Sequence, residues 1–306
     1  MNELTHVRRL RAEVPEDLDM PAAEDRLRAE IAEARKTPAR ARKLRWTLIP
    51  AGIAATAIAV ALVTVPWSDG SSAEAVALMA RAAQTALHTP ASPPRNDQYI
   101  YQETVEKLRP AGRPYTRYRS EWLSVDGSKP GLIRERNVIP AGTPAPPAEE
   151  MRPDGETALR ACGATPPLSR PYIGSLPSRP ADVLKLLDER AGDGGRGERL
   201  WSAATDMADT AMAPAARASF YRALAEIPGV GVAADSVDAS GRHGVALTRT
   251  SDGVREELIF DRTTYAVLGE RTLDEKGTEF SSTALLKTAV VDKAPAPRPG
   301  TSEDTC

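Results

Sequence analysis

The histidines, the cysteines and the paired acids are the side chains of this sequence that could perform acid–base, nucleophilic or metal chemistry. The three histidines stand far apart, and none has a His or Cys neighbour at the spacing of metal ligands: His6, His88 and His243. Adjacent acids such as Glu256-Glu257 are common on exposed strands, and no catalytic constellation accompanies this pair. The sequence also lacks the G-x-S-x-G, H-E-x-x-H and P-loop motifs. We therefore predict a protein that is not an enzyme, with no catalytic residue, no metal site and no cofactor.

The two cysteines, Cys162 and Cys306, leave three arrangements open. In an oxidising compartment such a pair can form a disulfide, but the sequence does not show whether the two thiols lie close together. Cys306 is the last residue of a polar segment. A disulfide between the two cysteines, two unpaired thiols and an intermolecular bridge are all compatible with this pattern.

A long uncharged segment near the N-terminus predicts one transmembrane helix. The run WTLIPAGIAATAIAVALVTVPW covers the 22 residues 46–67, and about 20 apolar residues span a bilayer as a helix. Four basic residues precede it and, by the positive-inside rule, place the N-terminus in the cytoplasm: Arg40, Arg42, Lys43 and Arg45. A cleaved signal peptide fits less well, because its basic region would be about 45 residues long and only Ala73-Glu74-Ala75 resembles a cleavage site. We predict a single-pass protein of the cell membrane with its larger part extracytoplasmic.

The predicted cytoplasmic tail, residues 1–45, contains two short amphipathic helical segments. Apolar residues recur at helical spacing before Pro15 and after Pro21, and they give five candidate partner-binding residues: Leu4, Val7, Leu10, Leu27 and Ile31. Two such helices are too short to build a core, and apolar stripes of this kind dock into grooves of other proteins. The alternative is a solvated tail whose basic end only sets the topology. Nucleic acid is not an expected partner, because acids and bases are interspersed and the formal net charge is -2.

Residues 70–293 predict an extracytoplasmic α+β domain, with a curved antiparallel sheet packed on helices. About eight alternating strand segments with turn signals between them flank a helical region; they lie at 97–108, 115–127, 131–139, 230–241, 243–253, 255–264, 265–274 and 278–292. Helices are predicted at 73–88, 181–190, 198–211 and 214–226. The polar residues 294–306 predict a disordered C-terminal tail.

Two local sequence patterns allow more specific predictions for this domain. Ser71 and Glu74 form a capping-box pattern at the start of the first external helix. The apolar face expected for that helix consists of Val76, Met79, Ala80, Ala83 and Leu87. The first two strands also carry five aromatic residues that fit either cross-strand packing or a ligand groove: Tyr99, Tyr101, Tyr115, Tyr118 and Trp122.

Several segments together resemble an uncharacterised family of actinobacterial single-pass membrane proteins. They are NELTHVRRLRAEVPE, the basic-flanked apolar helix, DQYIYQETV, PAARASFYRALAEIPGV, REELIFDRTTYAVLGERTL and SSTALLKTAVVDK. Members of this family are often encoded beside extracytoplasmic-function sigma factors. The resemblance implies a membrane partner in sigma-factor signalling, although the chain lacks the His and paired Cys of zinc-binding anti-sigma factors.

Two functions follow from this organisation. The first is a regulator or sensor whose tail binds a cytoplasmic sigma factor or another regulatory protein. The alternative is a membrane-tethered extracytoplasmic module that binds a lipid or a lipoprotein.

Overall fold

The computed structural model describes residues 71–161 and 169–304. The predicted tail with its five partner-binding residues, the predicted transmembrane helix and both cysteines lie outside these residues. Within the two described ranges, no helix is both long enough and apolar enough to cross a bilayer.

The described residues form a mixed α+β fold around one large curved sheet. The helices are α1 (Ala73–His88), α2 (Pro180–Asp188), α3 (Arg196–Ala208) and α4 (Pro214–Leu224). The strands are β1 (Tyr99–Leu108), β2 (Tyr115–Ser124), β3 (Gly131–Val138), β4 (Gly155–Leu159), β5 (Tyr172–Ile173), β6 (Ala211–Met212), β7 (Gly231–Val237), β8 (His243–Ser251), β9 (Val254–Phe260), β10 (Val267–Leu273), β11 (Glu279–Val291) and β12 (Ser302–Glu303). The large sheet has the order β12-β4-β3-β2-β1-β11-β10-β9-β8-β7, and β5 pairs with β6 separately.

The eight predicted strand segments are confirmed, and they are neighbours in the sheet from β3 to β7. The β8–β9 hairpin illustrates why the sequence identifies them. Asp252 and Gly253 both have positive φ, 50° and 78°, which is the geometry of a two-residue type I′ turn. This turn places Ser251 opposite Val254 and continues an antiparallel register.

One hydrophobic core lies between the four helices and the C-terminal half of the sheet. Trp201, Phe220 and Tyr221 are its largest helical side chains, and all three are almost fully buried. Leu258 and Phe260 of β9 face them from the sheet. The helices therefore cover one face of β7–β10, as an amphipathic helix layer on an antiparallel sheet must.

The first helix spans the predicted residues, but its N-cap lies one residue later than predicted and its buried face only partly matches the predicted one. Ser72, rather than Ser71, is the N-cap, and its hydroxyl accepts a hydrogen bond from the Ala75 N–H at 3.1 Å. The buried residues of α1 are Ala75, Leu78, Met79, Ala82, Ala83 and Ala86. Val76 and Leu87, which we expected to be buried, are 49% and 43% exposed. The small alanines allow α1 to pack closely on α4. Which residues of α1 are buried therefore depends on how near they lie to α4 and not on the size of their side chains.

We expect the Ser72→Ala substitution to lower the free energy of unfolding by about 1 kcal/mol, the usual cost of losing an N-cap. Urea unfolding followed by circular dichroism measures this loss. Ser202→Ala, at an exposed position inside α3, is the control, because it removes a hydroxyl that caps no helix. Equal stability of the two variants would contradict the assignment of the cap.

Four short strands were absent from the sequence prediction: β4, β5, β6 and β12. The predicted helix 198–211 ends at Ala208, and residues 211–212 form β6 instead. Disorder was predicted from residue 294, whereas Ser302 and Glu303 form a parallel strand beside Thr157 and Ala158. The two-residue strands are too short to produce an alternating pattern that sequence analysis can detect.

Two β-bulges bend the sheet at its centre. The β1–β11 register shifts so that Leu286 has no partner, and the β9–β10 register shifts at Leu268. Such bulges increase the local twist and leave backbone groups without ladder partners. The Arg242 guanidinium donates to the carbonyl oxygens of both Leu268 and Leu285, each at 2.9 Å. One side chain from the β7–β8 turn therefore stabilises both bulged strands.

Candidate functional site

The candidate site lies where the C-terminal end of α3 meets the helix-facing side of the sheet. Gln102 of β1 defines this side, since its amide donates to the Asp209 carbonyl at 2.7 Å. Glu121 of β2 is directly opposite Gln102 in the register and therefore faces the same way. Every second side chain of β1 and β2 faces the candidate site, because successive residues of a strand face opposite sides of the sheet.

Four carboxylic acids form an acidic cluster at this junction: Asp206, Asp209, Glu256 and Glu270. Glu270 on β10 lies opposite Leu258, and Glu256 on β9 lies opposite Thr272, so the two glutamates are diagonal neighbours, roughly 7 Å apart at their backbones. Asp209 caps the C-terminal end of α3, and Asp206 is in its last turn. Acids at this end of a helix oppose its dipole. The arrangement therefore concentrates negative charge.

The surroundings raise the pKa values of two acids of this cluster. Burial raises the pKa of Glu270 to about 7, and the charges of Asp209, Asp206 and Glu256 add to the effect. Burial likewise raises the pKa of Asp209 to about 6, with further contributions from Glu121 and Asp206. Yet neither residue is among the buried ones, and the surface of Asp209 is exposed. The two acids are thus partly solvent-accessible, although protein atoms displace much of the water around them; we call this partly open junction the acidic cleft.

Basic side chains flank the cluster without neutralising it. On β2, Arg119 pairs with Glu121 at 2.8 Å and with Glu135 at 3.0 Å, so its charge is shared. Burial raises the pKa of Glu256, while the Arg249 charge and the Trp201 indole oppose that rise. Among the described residues, none accepts a hydrogen bond from the Trp201 N–H.

A cavity of about 250 Å³ adjoins the cluster at Asp209. Its walls are the turn 208–211 after α3, residues 266–268 of the loop into β10, and residues 285–288 at the β11 bulge. Arg217 of α4 and Arg242 complete the lining. The residues at both bulges, Leu268 and Leu286, therefore line this space.

The residues that sequence analysis considered for chemistry do not lie together. Glu256 belongs to the acidic cluster, and the others that the structure describes lie elsewhere. Glu256 faces the helices, whereas Glu257 is buried elsewhere and accepts a hydrogen bond from the Ser236 hydroxyl at 2.5 Å. His243 is exposed and contacts the Asp235 carboxylate at 3.1 Å, and His88 contacts the Gln84 carbonyl at 2.8 Å within α1. Across residues 71–161 and 169–304, no group of three or more His, Cys, Asp and Glu is arranged to hold a metal ion.

The five aromatic residues of β1 and β2 do not form one groove. The rings of Tyr101 and Trp122 pack at 4.8 Å on the side of the sheet opposite to Gln102. Arg134 lies over the Trp122 ring and Arg136 over the Tyr118 ring, at 5.3 and 4.7 Å. Cross-strand and cation–π packing therefore occupies these rings.

Comparisons with known proteins give structural similarity only. No protein-family model and no curated protein matches the chain. The chain is similar to the crystal structure of MucB, with a TM-score of 0.30 and 16% identity over 74% of this chain and 61% of that one. The complex structure of MucA and MucB from Pseudomonas aeruginosa gives a TM-score of 0.25 and 16% identity over 73% and 59%. The chain thus spans less than two thirds of the MucB chains that it matches.

A third similar structure has a different description. It is a domain of an outer membrane lipoprotein-sorting protein from Vibrio parahaemolyticus. Its TM-score is 0.20 with 12% identity, over 69% of this chain and 90% of that one.

Proposed function

We propose that the chain is a non-enzymatic, single-pass membrane regulator. Its extracytoplasmic domain senses envelope conditions through the acidic cleft, and its N-terminal tail binds a cytoplasmic sigma factor. The tail and the membrane helix come from the charge and hydropathy pattern of residues 1–67, and the sigma factor comes from the family resemblance. The described domain supports the sensing part.

The entry of the chain into the domain carries this proposal. The Ser71 hydroxyl donates to the Ile227 carbonyl at 2.8 Å, and the Ser72 N–H donates to the Val230 carbonyl at 2.9 Å. The first described residues are therefore fixed to the end of α4. Since α1 also packs along α4, a shift of α4 has a direct route to the chain that enters the domain.

A change of charge in the acidic cleft is the signal that this shift of α4 would transmit. A cluster of carboxylic acids with raised pKa changes its charge within the pH range of the environment. Its repulsion acts at the end of α3, which packs in the same core as α4. Protonation or a bound cationic group changes the charge at this junction and thereby biases the helix packing.

Crosslinking and affinity recovery in the native host test the cytoplasmic half of the proposal. We expect full-length protein to recover a sigma factor and a chain lacking residues 1–45 to recover none. Replacing Leu4, Val7 and Leu10 by Asp is expected to abolish recovery, because charge on the apolar stripe prevents helix-in-groove binding.

A matched control separates the stripe from a general effect of added charge. Thr5, Arg9 and Ala12 lie on the opposite face of the same predicted helix, and their replacement by Asp is expected to preserve recovery. The proposal would be contradicted if the variant with Asp at positions 4, 7 and 10 still recovered the sigma factor. It would also be contradicted if every variant recovered the same envelope proteins and no sigma factor.

The alternative, a lipid- or lipoprotein-binding module, needs a wide apolar groove. Instead, the helix-facing side of β2 carries Arg117, Arg119 and Glu121, each in an ion pair or beside one. The cavity of about 250 Å³ is also smaller than the 300–1,000 Å³ of typical ligand pockets. These features favour the regulator. Native mass spectrometry that found a stoichiometric acyl lipid would reverse this preference.

A further inference from the structure

The cavity beside the β11 bulge has a mixed lining of apolar and charged residues. Most of its lining consists of alanine, valine and leucine from the three segments described above. Polar atoms come from Thr210, Thr288 and a few charged side chains. A small apolar body with one charged end matches this lining, since ligand sites pair a hydrophobic wall with a few placed polar groups.

Arg217 is the charged group without a counter-ion. It lies in the first turn of α4, and within residues 71–161 and 169–304 no carboxylate forms an ion pair with it. Its neighbours are two phenols: burial raises the pKa of Tyr172 and of Tyr221, and the Arg217 charge opposes both rises. The Tyr221 hydroxyl already donates to the Tyr265 carbonyl at 2.8 Å. Arg217 itself hydrogen-bonds to Tyr221, but a guanidinium has five N–H donors, so others remain for a further acceptor.

The position of Arg217 in its helix is unfavourable unless an anion is present. The N-cap of α4 is Ala213, whose side chain offers no hydrogen bond, and the first turn contains no acid. A cation here adds to the positive end of the helix dipole, whereas anions stabilise this end. An anion beside Arg217 would compensate the guanidinium and the helix terminus together.

The other charged groups of the lining leave Arg217 without an ion pair. Asp238 pairs with Arg242 at 2.6 Å. The Lys287 ammonium lies 5.5 Å from the centre of the Tyr101 ring, on the side of the sheet opposite to Gln102, and therefore points away from the cavity. Asp209 is the acid of the lining, and among the described residues it forms no ion pair with Arg217.

We propose that this cavity binds a small carboxylate with a short apolar body, and that the Arg217 guanidinium holds the carboxylate group. The apolar body occupies the space between the turn after α3 and the bulge at Leu286. Two sources share this chemistry: a free short-chain carboxylic acid, and the C-terminal carboxylate of a peptide that ends in an apolar residue. The proposal concerns the described domain and does not depend on what the N-terminal tail binds.

Binding to the full-length protein in nanodiscs tests the site, with hexanoate and N-acetyl-Ala-Ala-Leu as the probes. Isothermal titration and saturation-transfer NMR measure the affinities. We expect at least one probe to bind, and its neutral amide to bind at least tenfold more weakly, because a charge-assisted hydrogen bond is lost. The tighter of the two probes identifies the source of the carboxylate.

Three variants attribute the binding to Arg217. Arg217→Gln is expected to weaken binding about tenfold or more, and Asp209→Asn to strengthen it several-fold by removing a like charge. Arg222→Gln, on the same helix but outside the cavity, is the control and should bind as the wild type does. Failure of both probes to bind, equal binding of the amides, or unchanged affinity of Arg217→Gln would overturn the proposal.

Discussion

Asp238→Ala is expected to lower the free energy of unfolding by about 3 kcal/mol, because it breaks an ion pair on which two strands depend. The Asp238 side chain is 0% exposed. Its carboxylate accepts hydrogen bonds from the backbone N–H groups of Ser240 and Arg242, both at 2.9 Å, and from the Arg242 guanidinium at 2.6 Å. Alanine at position 238 removes both the acceptor of the turn's backbone hydrogen bonds and the carboxylate that orients Arg242.

The loss should extend beyond the turn. Without Asp238, the Arg242 side chain no longer holds its donors at the Leu268 and Leu285 carbonyls, which lie at the two bulges. Buried carbonyls without donors cost about 1–3 kcal/mol each. Hydrogen exchange should therefore increase in β10 and β11 as well as in the β7–β8 turn.

Chemical denaturation with a matched turn variant checks this expectation. Asp274 caps the β10–β11 turn by accepting from the N–H groups of Lys276 and Thr278, both at 2.8 Å, and none of the described residues forms an ion pair with it. Asp274→Ala should thus cost only about 1 kcal/mol. Equal losses for the two variants would mean that the Asp238–Arg242 pair contributes nothing beyond its turn.

The sheet was predictable from the sequence because its strands carry local signals. Alternation and paired turn residues such as Asp252-Gly253 fix an antiparallel hairpin within a few residues. The helical region was predictable for the same reason, with errors only at helix ends. The buried face of α1 was not, since Val76 and Leu87 are more apolar than the alanines that α4 actually contacts.

The candidate site was not predictable, because its residues come from distant parts of the chain. Asp209, Glu270 and Glu121 have no common spacing in the sequence, and each looks like an ordinary surface acid. Curvature of the sheet brings them together, and it depends on bulges at Leu268 and Leu286. The one available signal was local: two aspartates at the C-terminal end of a predicted helix, where acids oppose the dipole.

Glu270→Gln is expected to remove most of the pH dependence of the domain's stability between pH 5 and pH 8. Burial raises the pKa of Glu270 from 4.5 to about 7, so the folded domain keeps a proton that the unfolded chain releases. The stability from this proton is fully present below about pH 4.5 and is lost as the pH rises through about 7. Glutamine carries no such proton, and the variant should exceed the wild type by about 2 kcal/mol at pH 8, after allowance for solvent access to the cleft.

The charged groups that face Glu270 determine how much pH dependence of stability remains in the variant. Asp206 and Asp209 face it from α3 and Glu256 from β9, while Glu121 and Arg119 act on Asp209 from β2. Glu270 titrates above Asp209 and is therefore largely neutral where Asp209 ionises. The slope that remains in Glu270→Gln should come from Asp209 and lie on the acidic side of this pH range. Glu275→Gln, at an exposed position in the β10–β11 turn, serves as the control with the slope of the wild type. If urea unfolding gave the same slope for Glu270→Gln as for this control, the acidic cluster would not be the group that couples protonation to the packing of α3.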